Sequence, residues 1–96
     1  CNSLQPDCRP GVPLMEGETI VEMPAIQETL TQRYTQRALA FMRRAAAARQ
    51  PFFLYYASNF PHTPLYASED FLGTSAGGLY GDVVEELDWS VGRILD

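Results

Sequence analysis

Six consecutive residues, Phe52-Phe53-Leu54-Tyr55-Tyr56-Ala57, are apolar without interruption and rich in aromatics. No alternation of apolar and polar residues runs through them, so burial on both faces is expected. That pattern predicts a central strand over 52–57, in a parallel sheet covered by helices. Such a strand needs neighbours on its edges, or its backbone groups go unpaired. The chain supplies no convincing neighbour. The fold class is therefore α/β, and the chain is expected to be an internal piece of a larger protein. Both ends agree with this expectation: the chain starts at Cys1 in a Pro-rich stretch without Met, and stops at Asp96 inside an amphipathic pattern.

The flanks of the strand complete half of a βαβ unit. Upstream, Leu30, Tyr34, Ala38, Phe41, Met42 and Ala45 recur at helical spacing, which predicts a helix over 29–50. Thr29 and Gln32 have the spacing of a capping box, and Gln50 before Pro51 is a natural stop. Downstream, Tyr80, Val83, Val84, Leu87, Val91, Ile94 and Leu95 form an apolar stripe that predicts a second helix over 79–96. Gly92 lies inside that pattern, where it would allow close packing against a neighbour. Asp82, Glu86 and Asp88 cluster on the same helix. Their expected role is structural: Asp82 and Glu86 on a solvated acidic face, Asp88 partly buried at the edge of the stripe. Residues 1–25 read as irregular because of Pro6, Pro10, Gly11, Pro13, Gly17 and Pro24, with a short strand possible over 18–22.

Composition sets further limits. The chain has 96 residues, at most one small domain, and 46% of them are hydrophobic, which argues against disorder. Its net charge is -5, and all seven basic residues are Arg, a poor electrostatic match for nucleic acid. Arg43, Arg44 and Arg49 fit the end of the first helix, where they complement its dipole and face water. No apolar run approaches the roughly 20 residues that span a bilayer. Cys1 and Cys8 could close a disulfide loop, remain free, or pair elsewhere; two cysteines alone do not make a zinc site.

In open α/β sheets, ligands bind beyond the carboxyl ends of the strands. Residues 58–78 form a long loop in that position, and loops of this length are often functional. It begins Ser58-Asn59-Phe60-Pro61-His62-Thr63-Pro64 and holds the only histidine of the chain. His62 can donate a proton near neutral pH and, when charged, stabilise an anion. The plain alternative is a hydrogen-bonded loop histidine. Asn59 could bind substrate or a cation, or simply shape the turn. Ser58 has no G-x-S-x-G setting and is not expected to be a nucleophile. Tyr55 and Tyr56 are expected in the core. Ser68-Glu69-Asp70 would cap a single helical turn ending near Leu72. No Gly-rich phosphate loop is present.

The run PFFLYYASNFPHTP over 51–64 resembles a block of the sulfatases, in particular arylsulfatases and galactosamine-6-sulfatase. So do YASEDFLGTS over 66–75 and GLYGDVVEELDWSVG over 78–92. Val12-Pro13-Leu14 and Leu30-Thr31-Gln32-Arg33-Tyr34-Thr35 are also sulfatase-like, so the resemblance covers roughly residues 8–96. It implies part of an alkaline-phosphatase-like sulfatase domain: helix, buried parallel strand, active-site loop, helix. It implies a sulfuric ester hydrolase acting through a formylglycine nucleophile and a calcium ion. His62 matches the family histidine that contacts the sulfate and protonates the leaving oxygen.

The departures are equally definite. The formylglycine signature is absent, as are the Asp-Asp and Asp-Asn pairs that bind calcium in the family, and the chain contains no Lys. These elements are expected outside this segment, so no metal ligand or nucleophile is assigned here and the isolated piece is expected to be inactive. The partner is expected to be a sulfate ester, and the compartment periplasmic, lysosomal or extracellular. Two alternatives remain at this point: a phosphoesterase of the alkaline phosphatase superfamily, and a non-catalytic binding module.

Overall fold

The structure is a computed structural model that describes residues 11–96. Cys1 and Cys8, with the disulfide considered for them, lie outside the described residues.

The short strand read over 18–22 is present as one half of a hairpin, and its partner comes from chain expected to be irregular. β1 (Leu14–Glu16) pairs antiparallel with β2 (Thr19–Glu22). Gly17 sits at φ +60° in the first central position of the two-residue turn, where primed hairpin turns require a left-handed residue. Leu14 opposes Glu22 but Met15 opposes Ile20, so Val21 bulges. Two ion pairs lay the hairpin along the first helix: Arg33–Glu22 at 2.9 Å and Arg37–Glu16 at 3.1 Å. Glu22 also accepts the Ile26 N–H at 2.6 Å. That bond, followed by the Arg33 guanidinium, holds its carboxyl below the usual range.

A 3-10 turn, Gln27–Thr29, leads into α1 (Leu30–Ala47). The expected capping box does not form. Thr29 is already in a helical conformation, and its hydroxyl donates to the Ile26 carbonyl at 2.7 Å. Gln32 points away to the loop (below). The helix also ends earlier than the proline would impose. Gln50 N–H bonds back to the Ala45 carbonyl and Arg49 N–H to the Ala46 carbonyl, both at 3.0 Å. This is a Schellman motif, with Arg49 at φ 52° in the position usually given to glycine. α2 spans Gly78–Leu95 and packs on α1.

Residues 52–57 depart from expectation. They run extended but enter no sheet; among the described residues the only sheet is β1-β2. Phe53 and Tyr55 are 87% and 81% exposed, while Leu54 and Tyr56 turn toward α1. The physical reason is the one the sequence raises: a strand is made by edge partners, and the described residues offer none. Phe52 meets Phe41 edge-on, with ring centroids 5.8 Å apart.

The core is small: Leu30 from α1, Phe60 and Ala67 from the loop, and Val83 from α2, with Leu65, Tyr66 and Phe71 packed around them. The loop thus contributes two of the four residues of this cluster. Beside this core runs a polar seam between the helices. Thr31 and Thr35 of α1 and Asp82, Glu86 and Ser90 of α2 are all buried. The apolar stripe of α2 mostly faces outward instead, with Tyr80, Val84, Val91 and Leu95 exposed. A Cβ built on Gly92 would meet nothing within 4 Å among the described residues, so none of them packs closely against it.

The seam has a fixed hydrogen-bond direction. Thr35 Oγ1 lies 2.7 Å from the Thr31 carbonyl, which can only accept, so the Thr35 proton is spent there. Ser90 must then donate to Thr35 Oγ1 at 2.6 Å, and Tyr56 must donate to Ser90 Oγ at 2.8 Å. Tyr56 therefore ties the extended segment to both helices. Beside it, burial and the neighbouring Tyr56 push the Tyr34 phenol up.

Candidate active site

The chain turns sharply at the carboxyl end of the extended segment. Ser58 Oγ accepts the Phe60 N–H at 3.2 Å, and the Asn59 carbonyl accepts the His62 N–H at 3.3 Å. Phe60, between them, drops into the core. His62 is exposed at the top of this turn. Its Nδ1 lies 2.6 Å from the Thr63 carbonyl. A carbonyl only accepts, so Nδ1 carries the hydrogen and the ring is held by one nitrogen. Nε2 has no hydrogen-bond partner among the described residues and faces solvent. Asn59 and His62 therefore share one turn, with Asn59 acting through its main chain while its side chain stays exposed.

Downstream, the chain re-enters the core at Ala67 and Ser68, 1% and 5% exposed. Three fastenings meet there. Glu86 Oε2 accepts the Ser68 N–H at 2.9 Å. Gln32 Nε2 donates to Ser68 Oγ at 3.1 Å and to Asp70 Oδ2 at 2.9 Å. The Ser68 carbonyl accepts from Phe71 and Leu72, closing the single helical turn expected there. Further on, Asp82 takes the Gly73 N–H on one oxygen at 2.8 Å and the Ser75 N–H on the other at 2.9 Å. The Gly73 and Ser75 amides hold the Asp82 carboxyl below the usual carboxylate range.

Asp82 and Glu86 thus do not form a solvated face. They are 3% and 2% exposed and serve as clasps for the loop backbone. Asp88, expected to be partly buried, is exposed. The only hint in the sequence is an acidic pair at i, i+4 directly after a Gly/Ser-rich stretch, and it does not say where the loop backbone comes to rest. Gly81 fits the same scheme. A Cβ there would lie well inside contact distance of Ser75 Oγ, so only glycine lets the turn close on Asp82.

A divalent cation finds no such cradle here. Both Asp82 oxygens face N–H donors, which suit an anion's lone pairs and repel a metal. Among the described residues no group of three or more His, Cys, Asp or Glu could hold a metal ion. No helix among them is long and apolar enough to cross a membrane.

The turn thus presents an imidazole nitrogen without a partner among the described residues and is anchored by Phe60 on one side and Ser68 on the other. The family model described as Sulfatase matches residues 3–96. The chain belongs to the sulfatase family. It is 49% identical over 96 residues to N-acetylgalactosamine-6-sulfatase of Canis lupus familiaris, covering 91% of this chain and 18% of that protein. Human steryl-sulfatase is 43% identical over 83 residues, covering 86% of this chain and 14% of that protein. Human arylsulfatase H is 42% identical with the same coverage. The sulfatase segment described here thus spans less than a fifth of the length of these relatives.

Proposed function

We propose that this segment forms one wall of the active site of a sulfuric ester hydrolase, with His62 as the residue that contacts the sulfate and protonates the leaving oxygen. The supporting observation is the fixed orientation of its ring. With Nδ1–H committed to the Thr63 carbonyl, the protonated ring can present only Nε2–H to a bound oxyanion. The same hydrogen can then pass to the ester oxygen as the S–O bond breaks and negative charge grows there. In the same reading Asn59, which shares the turn with His62, donates its side-chain amide to the substrate.

The formylglycine nucleophile and the calcium ion that go with this reading are supplied by segments other than this one. No step assigned to the present residues passes through them. The alkaline-phosphatase-like α/β sheet belongs to the same reading. Its neighbouring strands would cover Phe53 and Tyr55 and pair the main chain of 52–57. The segment alone is then inactive, and its compartment lies outside the cytoplasm. Four relatives named N-acetylgalactosamine-6-sulfatase from other mammals, 46–48% identical, make a sulfated sugar the first substrate class to try.

In the full-length protein, His62→Ala is expected to lower turnover of poorly activated sulfate esters by about 10² to 10⁴, the usual worth of a general acid. Esters of acidic phenols, which leave without protonation, should lose far less. Equal turnover of both classes by the variant and the parent would overturn the assignment.

A further inference from the structure

We infer that Glu86 is a positioning residue for this active site: it fixes the downstream foot of the His62 loop so that Nε2 keeps its aim. The inference rests on the reading of His62 given above, and it deepens that reading.

Three observations carry it. First, the loop has only two feet. Phe60, two residues before His62, is buried in the core. Ala67 and Ser68 are the next buried residues after it, and 61–66 between them are exposed or half-buried. The second foot, with Leu65 and Tyr66 packed half-buried on the core just before it, therefore limits how far the exposed residues 61–64 can swing. Second, Ser68 is where the helices converge. Glu86 of α2 accepts its N–H, and Gln32 of α1 donates to its hydroxyl oxygen. Losing either grip frees one face of the foot. Third, Glu86 is a costly residue for a mere packing role. It is 2% exposed, and Oε1 is buried with no partner among the described residues. A carboxylate buried beside Val83 with one oxygen unpaired is unfavourable compared with an apolar side chain. What it provides there, and an apolar side chain could not, is an acceptor for the buried Ser68 amide.

The test uses the full-length protein with Glu86→Gln, Glu86→Ala, Gln32→Ala and His62→Ala. Each is assayed on two aryl sulfates, one with an acidic and one with a weakly acidic phenol. Amide hydrogen exchange is followed over 59–75. Glu86→Ala is expected to cut kcat on the weakly acidic phenol ester by about 10²-fold, the effect of misplacing a group by roughly 1 Å. The loss on the activated ester should be several-fold smaller, and KM should change little. Exchange in 62–72 should accelerate while the α1 amides stay protected. Glu86→Gln, whose amide oxygen can still accept from Ser68, should recover part of the loss, and Gln32→Ala should reproduce it in milder form.

Equal losses on both esters, or unchanged exchange in 62–72, would overturn the inference. If Glu86→Ala does not fold, Gln32→Ala and Glu86→Gln carry the same comparison. If His62→Ala itself shows no dependence on the leaving group, the general-acid reading fails. The exchange data then still decide whether Glu86 anchors the loop.

Discussion

Residues 51–58 and 66–75 both lie outside helix and strand, yet they are held in opposite ways. In the first, the main chain makes no hydrogen bond among the described residues, and the segment is attached by side chains, chiefly the Tyr56 hydroxyl and the Phe41–Phe52 contact. In the second, the amides of Ser68, Gly73 and Ser75 end on carboxylates of α2, and those of Phe71, Leu72 and Thr74 on nearby carbonyls. A backbone satisfied by its own surroundings can hold a shape alone. One left open takes its shape from whatever pairs with it, which in the proposed enzyme is a sheet.

Three measurements would break or sharpen this contrast. The largest effect should come from Ser90→Ala. It strands the Tyr56 proton and leaves Thr35 Oγ1 without a donor, at about 1–3 kcal/mol of stability in denaturant unfolding of the full-length protein. Adding Tyr56→Phe should then cost almost nothing more, because the stranded donor is gone. Additive losses would mean the tie is not the chain of hydroxyls described here.

A smaller, local effect is expected from acid. Asp82 has its pKa depressed on folding, so its contribution is present above the unfolded value near 3.8 and is lost as pH falls through the lower folded value. Exchange at Gly73 and Ser75 should therefore accelerate only below about pH 4, with the neighbourhood of Tyr56 unaffected. In Asp82→Asn the pH step should vanish. Persistence of the step in that variant would assign the clasp to another group.

The smallest effect is a gain. Arg49 holds a left-handed conformation at the turn into 51–58, and glycine adopts it without strain. Arg49→Gly should raise stability by up to about 1 kcal/mol. A loss would show that the arginine side chain matters more than its backbone strain.

Much of this was legible in the sequence. Both helices appear within three residues of their expected bounds, because apolar periodicity and the Gln50-Pro51 stop are local signals. The turn after Ser68 and the placement of His62 beyond an extended segment follow from similar local chemistry. The openness of 52–57 follows from the missing edge partners that the sequence already implied. Two features were not legible. The pairing of the 19–22 strand with Leu14–Glu16 depends on the Gly17 turn and on ion pairs to a helix beyond it. The burial of Asp82 and Glu86 depends on where an unassigned loop backbone comes to rest. In each case the deciding interaction joins distant parts of the chain.

The seam between the helices also has a mechanical consequence. Ser90 is buried opposite Thr35, one turn beyond Glu86 and one turn short of Ile94. Sliding α2 along α1 by a single turn, about 5.4 Å, would bring either the Glu86 carboxylate or the Ile94 alkyl group to the Thr35 hydroxyl. Neither can replace a serine that both gives and receives a proton bond. An all-apolar contact would tolerate such slippage. This one ratchets to a single notch, and the turn bearing His62 inherits that setting.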